Sequence, residues 1–316
     1  MTRAVQNKAG NCFLCGGEGE RLFSASDSLG TTTQQFSILR CRRCGLHRLS
    51  PPPSSAEALD FYPVDYEPFR ALRDARLNAW QRWLRRRHWR LRCRAVRHFR
   101  DGGTLLDVGC STGDFLHELR QDGSWQVVGV EVNAQAAAYA RQVLGLTVHQ
   151  ADFCTLDLPP HTFDVVTMWD VVEHVPDPLG TLKTVAHLLK PGGVLVLSTP
   201  NARAWQARLW GRWWCGWDVP RHFHVFTRPT LERLLARAGF RVTRRLHFPA
   251  ERFYLVESWR RQLASRPPGV LRQWRRHLPV YVGVMLWPLL RLLALTVFAS
   301  QIVVAATVHE GRTDGE

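Results

Sequence analysis

The sequence has almost no lysine. Lys8, Lys183 and Lys190 are its only three, so nearly all of the 42 basic residues are arginine, a bias typical of a GC-rich genome. Against 27 acids this leaves a formal charge of +15, which favours anionic lipid, nucleic acid or acidic metabolites as partners. An apolar leader is also missing. "MTRAVQNKAGNCFLC" contains no h-region, so no secretory signal is expected and the reading places the chain in the cytoplasm. No segment repeats at a fixed period. With 316 residues, 45% of them hydrophobic, the chain can bury one large core with a small appendage, and wholesale disorder is excluded.

Eight cysteines are present, and four form a pattern. Cys12 and Cys15, then Cys41 and Cys44, make two C-x2-C units separated by residues 16–40. In a cytoplasmic chain paired units of this kind point to metal rather than to disulfides. Four thiolates suit the tetrahedral preference of zinc, and a four-cysteine site has no open position, so the zinc is expected to be structural. Neither unit lies in a thioredoxin-like βαβ pattern, which argues against a redox pair. Cys93, Cys110, Cys154 and Cys215 have no metal-like spacing.

Composition and periodicity divide the chain into a cysteine-punctuated head at 1–50, a linker with Arg/Trp-rich helix at 51–100, an α/β core at 101–250 and a last section from 251 that holds an apolar run. Residues 11–49 read as short and loop-like. "SPPPSS" breaks the chain at 50–55, "FYPVDYEPF" at 61–69 is an aromatic connector, and 70–100 reads as helix. From 104 to 248, short apolar runs at 104–109, 125–131, 146–151, 163–169, 193–199 and 240–248 alternate with helical patterns, as in a parallel sheet. "RPTLERLLARAGF" is expected as a helix at 228–240, with Thr227 capping its start, Pro229 in its first turn and Gly239 ending it.

The chemistry concentrates in "TLLDVGCSTGDFLHEL". A buried strand ends at Asp107, and a loop of small residues (Gly109, Cys110, Ser111, Thr112, Gly113) leads into a helix, where glycine permits close backbone approach to a ligand. A dinucleotide fold would require G-x-G-x-x-G. Here the third glycine is missing and an acid precedes the first, which repels a pyrophosphate and suits a ligand with a cationic group. The next strand ends in Glu131, whose carboxylate can accept both hydroxyls of a ribose. The third offers Asp152 and Phe153, which can read an adenine edge.

Asp107, Gly109, Gly113, Glu131 and Asp152, in this order, resemble the class I S-adenosylmethionine-dependent methyltransferases. "FDVVTMWDVVEHVPDP", "LLKPGGVLVLSTPN" and "HFHVFTRPTLERLLARAGF" are similar to later motifs of that family, and the cysteine-rich head with "CGLHRLSPPP" and "FYPVDY" resembles a bacterial subgroup with an N-terminal zinc ribbon. The resemblance implies a Rossmann-like seven-stranded α/β sheet. It places Asp107 and Gly109 near the methionine part of S-adenosylmethionine, Glu131 on the ribose, and Asp152 with Phe153 at the adenine, with Cys110 and Gly113 also among the cofactor-binding residues. It also implies a zinc ribbon at 1–50 and a hairpin of two last strands, "FRVTRRLHF" and "QIVVAATVH" at 301–309, which leaves a hydrophobic helical insertion at 251–300 and a last strand with tail at 301–316.

The acceptor side is less determined. Asp170, Glu173 and His174 follow the fourth strand of the core at a spacing that gathers them on one helical turn. Quinone-type O-methyltransferases carry a Glu-x-x-Glu-His version associated with a divalent metal. Asp170 is one methylene shorter, so the favoured reading is a pocket-lining Asp170 with His174 bonded to the backbone. In "WCGWDVPRHFHVF", His222 is the choice for a substrate-facing base, and His224 for a backbone partner. These residues suit methyl transfer to a small-molecule, glycan or lipid-linked acceptor. The alternatives are a zinc-ribbon nucleic-acid-binding protein or RNA methyltransferase and a nicotinamide oxidoreductase. No Asn-Pro-Pro-Tyr or Asp-Pro-Pro-Tyr stands where "WDVVEH" does, so nucleic-acid amino groups are disfavoured as acceptors.

Two apolar or basic stretches remain. "WQRWLRRRHWRLRCRAVRHF" spaces Trp80, Trp83, Leu84, Leu91 and Val96 as one helix face, expected to pack, and leaves an arginine face for anionic lipid or polymer. "LPVYVGVMLWPLLRLLALTVFA" at 278–299 has roughly the length of a membrane span, but Pro288 and Arg291 fall near its middle, where an arginine costs ~2.5–3.5 kcal/mol. A span would also strand the last strand away from its sheet. The expectation is a helix hairpin or surface helix in peripheral contact with the membrane.

Overall fold

The structure, a computed structural model, describes residues 11–27, 29–62, 79–121, 123–248, 250–265, 278–293, 295–296 and 299–309. The connector beyond Tyr62, the first part of the Arg/Trp-rich stretch and the arginine-rich run 266–276 lie outside the described residues. The strands are β1 (Gly19–Ser26), β2 (Gln35–Cys41), β3 (His47–Ser50), β4 (Gly103–Val108), β5 (Trp125–Glu131), β6 (Thr147–Gln150), β7 (Phe163–Trp169), β8 (Leu189–Pro200), β9 (His224–Val225), β10 (Phe240–Leu246) and β11 (Gln301–Val308). The helices are α1 (Ser55–Asp60), α2 (Ala79–Arg97), α3 (Asp114–Arg120), α4 (Ala134–Gln142), α5 (Pro178–Leu188), α6 (Trp205–Trp210), α7 (Arg228–Arg237), α8 (Glu251–Ala264), α9 (Leu278–Met285) and α10 (Trp287–Leu293).

The chain divides into two compact units. One comprises 62–198, 235–246 and 303–316, and contains most of a seven-stranded sheet in the order β10-β11-β8-β7-β4-β5-β6. Pairs β4–β5, β5–β6, β4–β7 and β7–β8 are parallel, whereas β10–β11 is antiparallel. The central strands are runs of Leu and Val buried on both faces, such as Leu105, Leu106, Val165, Val166 and Val194 to Leu197. Strands that point to solvent on neither face have no reason to alternate. The chain runs outward from β4 through β5 and β6, then returns to the other side of β4 as β7. This reversal opens a crevice at the carboxyl ends of β4 and its neighbours, where ligands of open α/β sheets bind.

The expected strands at 125–131 and 163–169 are β5 and β7. β8 begins earlier than 193 because Leu189 already pairs with Phe163, and a register shift absorbs the "KPGG" segment that reads as a turn. The final strand lies between β10 and β8, as the expected hairpin requires. α7 starts where expected, with the Thr227 hydroxyl accepting from Thr230 N–H at 3.4 Å, and Gly239 at φ 87° follows its end.

The second unit comprises 1–61, 199–234 and 247–302. Residues 11–49, expected as loops, form three antiparallel strands extended by β9 into the sheet β1-β2-β3-β9. β1 is hard to read from sequence because only Phe23 and Ala25 face the core, too short an apolar alternation to mark a strand. The core of this unit joins Phe36, Ile38 and Leu49 to Ala204, Trp214, Trp217 and Tyr254, so the cysteine-rich strands share one apolar cluster with α6 and α8. Between β10 and β11 the insertion forms α8, α9 and α10. Leu286 separates α9 from α10, and Pro288, in the first turn of α10, cannot donate a backbone hydrogen bond. End to end the two span about 24 Å, short of the ~30 Å of a bilayer core. No described helix is long and apolar enough to cross a membrane.

Candidate active site and metal centre

The carboxyl ends of β4, β5 and β6 bring together the acids singled out in the sequence. Asp107 is 3% exposed and accepts a 2.6 Å hydrogen bond from the Thr167 hydroxyl on β7. Burial pushes its carboxyl up to about 7, against the pull of Thr167 and the Arg92 guanidinium, and the Glu131 charge adds to the rise. Glu131 is buried too, and burial raises its pKa. Its two oxygens accept 2.8 Å bonds from Ser111 N–H and Asn133 N–H, which fix the plane of the carboxylate. Asp152 caps the short turn Phe153–Thr155 through a 2.9 Å bond from Cys154 N–H, and Phe153 is buried.

The loop after β4 is locked by backbone geometry. Gly109 and Cys110 both donate to the Val130 carbonyl, at 2.8 and 3.0 Å. Gly109 sits at φ 71°, and a β-carbon there would lie 2.6 Å from a methyl of Val171, so only glycine is accommodated. Gly113, at φ 78°, approaches Leu146 and Ala140 equally closely. The Cys110 thiol is buried, and its pKa is raised by burial and then by the charges of Asp107 and Glu131, which makes it a packing group rather than a nucleophile.

These residues fit a ligand with a cation and adjacent hydroxyls. A carboxylate has about four acceptor positions, which the loop amides on Glu131 do not exhaust. Asp107, held near neutrality by burial, regains its charge if a cation is placed beside it.

On the acceptor side, Asp170 follows β7 in the left-handed region at φ 58°, an uncommon place for a non-glycine residue. It is held from two directions. The Ser198 hydroxyl donates to one oxygen at 3.1 Å, and Arg92 of α2 pairs with the other at 3.1 Å. The Arg92 guanidinium also lies over the rings of Trp89 and Trp169, at 5.0 and 4.9 Å from their centroids. Glu173 is fully buried. His174 N–H donates to the Val171 carbonyl, and its Nδ1 lies 3.0 Å from the Tyr62 hydroxyl. Arg92, Thr167, Ser198 and Tyr62 were not legible as site residues. Arg92 is one of many arginines on its helix, and Thr167, Ser198 and Tyr62 lie inside the stretches that carry the family resemblance without a residue type that by itself marks a site.

In the other unit, His222 is 7% exposed, and its Nδ1 lies 2.9 Å from the Gly216 carbonyl. A carbonyl only accepts, so Nδ1 carries the proton and Nε2 is the basic nitrogen. Burial pushes the His222 pKa down, partly offset by Asp218, and keeps the ring neutral. The His224 ring packs at 4.8 Å from that of Phe13. Beside His222 lies an ion cluster that sequence reading did not find. Arg221, with no side-chain exposure, pairs with Asp27 and Asp218 at 2.9 Å each, and Arg261 reaches Asp218 at 2.9 Å.

Cys12, Cys15, Cys41 and Cys44 converge in the same unit. Their sulfurs all lie within 4.8 Å of one another, with Cys12–Cys44 at 3.6 Å and Cys15–Cys41 at 3.4 Å. Tetrahedral zinc–thiolate bonds of ~2.3 Å would put sulfurs roughly 3.8 Å apart, so the four fit a metal and not a disulfide. Two tight turns present them, with Gly16 N–H bonded to the Cys12 carbonyl at 2.7 Å and Gly45 N–H to the Cys41 carbonyl at 2.9 Å. Gly17 N–H points at Cys15 Sγ at 3.4 Å, the second-layer bond expected around a thiolate ligand.

Known proteins resemble this chain in sequence and in fold. The ubiquinone biosynthesis O-methyltransferase of Sodalis glossinidius is 33% identical over 135 residues, which cover 40% of this chain and 54% of that protein. That of Haemophilus ducreyi is 40% identical over 110 residues, covering 32% and 46%. The chain thus spans about half the length of the curated relatives it matches. Among solved structures, a chain of the complex between the Haloferax volcanii Trm112 methyltransferase activator and a methyltransferase superposes with a TM-score of 0.50 at 17% identity, over 70% of this chain and 90% of that one, a likeness of fold alone. The family model described as a methyltransferase domain matches residues 80–245, the stretch that contains Asp107, Glu131, Asp152 and Asp170, and the chain belongs to that family.

Proposed function

We propose that the protein binds S-adenosylmethionine at the carboxyl ends of β4, β5 and β6 and moves its methyl group to a small acceptor. The observation that carries this reading is the row of Asp107, Glu131 and Asp152 at three successive parallel strand ends, beside a loop that admits only glycine at 109. The donor would supply an already activated methyl group, so the protein's task is chiefly alignment of the acceptor. Glu131 holds the ribose hydroxyls, Asp152 and Phe153 flank the adenine, and Asp107 compensates positive charge near the methionine part. Gly109, Cys110 and Gly113 shape the backbone around it.

For an acceptor that must lose a proton, His174 is the proposed base and Asp170 lines its surroundings. His222, neutral with a basic Nε2, is the second proposed base. The Arg92 pair on Asp170 favours a pocket-lining carboxylate over a divalent-metal ligand at Asp170, Glu173 and His174. The four cysteines hold a structural zinc. The relatives named ubiquinone biosynthesis O-methyltransferase support a small-molecule acceptor. A glycan or lipid-linked acceptor, and peripheral membrane contact of a cytoplasmic protein, are proposed from the sequence alone.

The test is to incubate the protein with methyl-labelled S-adenosylmethionine and separate total cell extract into organic, aqueous and nucleic-acid fractions. Label in the organic fraction supports this reading. Label confined to RNA overturns it in favour of a nucleic-acid methyltransferase.

A further inference from the structure

The helical insertion leaves an apolar face uncovered. Val284, Met285, Leu286, Leu289, Leu292 and Leu295 are all exposed, Met285 by 79% and Leu292 by 64%. Scattered apolar residues on a surface are ordinary, but these are contiguous in the chain. Backbone bonds from Leu286 to Val282 and from Leu290 to Leu286 carry the helical ladder across the junction of α9 and α10. Met285, Leu289 and Leu292 therefore recur at i, i+4 and i+7 as one stripe. The inner side is closed: Leu290 is 2% exposed, and Gly283 abuts Val256 and the Arg252 stem on α8. A larger residue at 283 would push the pair away from α8, so the outward stripe is a consequence of tight packing within.

The sequence leading into the stripe bears on what covers it. No aspartate or glutamate occurs between Glu257 and Glu310. The chain between α8 and α9 carries Arg266, Arg272, Arg275 and Arg276, and Arg252, exposed on α8, has its stem against α9. A second copy of this chain would bring the same excess of arginine and no acid from this stretch to pair with it. An anionic lipid surface satisfies both features, since acyl chains take the leucines and headgroup phosphates take the guanidinium groups.

We propose that α9 and α10 lie in the plane of an anionic lipid monolayer, with Met285, Leu289, Leu292 and Leu295 dipping among the acyl chains. This deepens the membrane reading above and rests on it, but is independent of the methyl donor. The experiment is flotation of the full chain with phosphatidylcholine vesicles, with and without phosphatidylglycerol. Two variants are compared: Met285→Glu combined with Leu289→Glu, and Leu292→Glu alone. All three positions are exposed, so the fold should persist, as checked by thermal melting.

The wild-type chain should float with phosphatidylglycerol vesicles, and less so as salt is added. The double variant should lose at least ~10-fold in partitioning, because each change replaces an apolar side chain that would be buried among acyl chains with a charge. Equal flotation of wild type and both variants overturns the proposal, and so does wild-type self-association that the variants abolish without any vesicle binding. Vesicle binding that persists in a protein with no affinity for S-adenosylhomocysteine would sink the donor reading and leave this one standing.

Discussion

Asp107→Asn separates the electrostatic cost of the site from its use. In the folded chain burial pushes the Asp107 carboxyl up to about 7, from an ordinary value of 3.8. The folded state therefore keeps a proton that the unfolded state releases between about pH 4 and pH 7. This group's contribution is most favourable below pH 4, declines as pH rises to 7, and is level above that. Three pKa units at ~1.4 kcal/mol each set an upper limit of ~4 kcal/mol. Asparagine has the same shape and no charge, and the Thr167 hydroxyl can donate to its amide oxygen. Urea denaturation of both proteins from pH 4 to pH 8 should show the stability difference shifting in the variant's favour toward neutral pH. The same variant should bind cationic S-adenosylmethionine less well, with a smaller effect on neutral-sulfur S-adenosylhomocysteine. A stability difference that stays flat across this range would refute the argument that burial makes Asp107 costly.

Arg221→Met leaves Asp27 and Asp218 buried without their shared partner. Breaking a buried pair from one side costs roughly 3–5 kcal/mol. Denaturant titration should show it, and a loss below about 1 kcal/mol would mean that Arg261 or solvent compensates. Cys41→Ser should abolish binding of one zinc per chain, measured by metal analysis of protein purified without chelator. Because β2 also carries Phe36 and Ile38 into the cluster with Trp214 and Trp217, tryptophan emission should shift to the red. Unchanged metal content would remove the zinc assignment.

How much of this was legible in the sequence differs between the two units. In the seven-stranded sheet, strands such as Trp125–Glu131 are mostly apolar and end in a charged residue, and the acids at the ends of β4 to β6, with glycine after β4, mark the crevice. Local composition suffices there. The four-stranded sheet was legible only through its cysteines, since β1 turns only Phe23 and Ala25 inward and β9 is two residues long. The ion cluster was beyond reach for a different reason. Asp27 and Arg221 are 194 residues apart, and a lone charge in a polar stretch does not announce a buried partner. Arg92 was hidden by its neighbours, because among so many arginines on α2 only its contact with Asp170 and Trp169 distinguishes it.

The central claim is that the carboxyl ends of β4, β5 and β6 form an S-adenosylmethionine site, and titration calorimetry tests it most directly. The purified protein should bind S-adenosylmethionine and S-adenosylhomocysteine. Glu131→Ala should weaken both by about 1–3 kcal/mol through loss of the ribose hydrogen bonds. Tight binding of NAD with no heat from either methionine nucleoside would contradict the account.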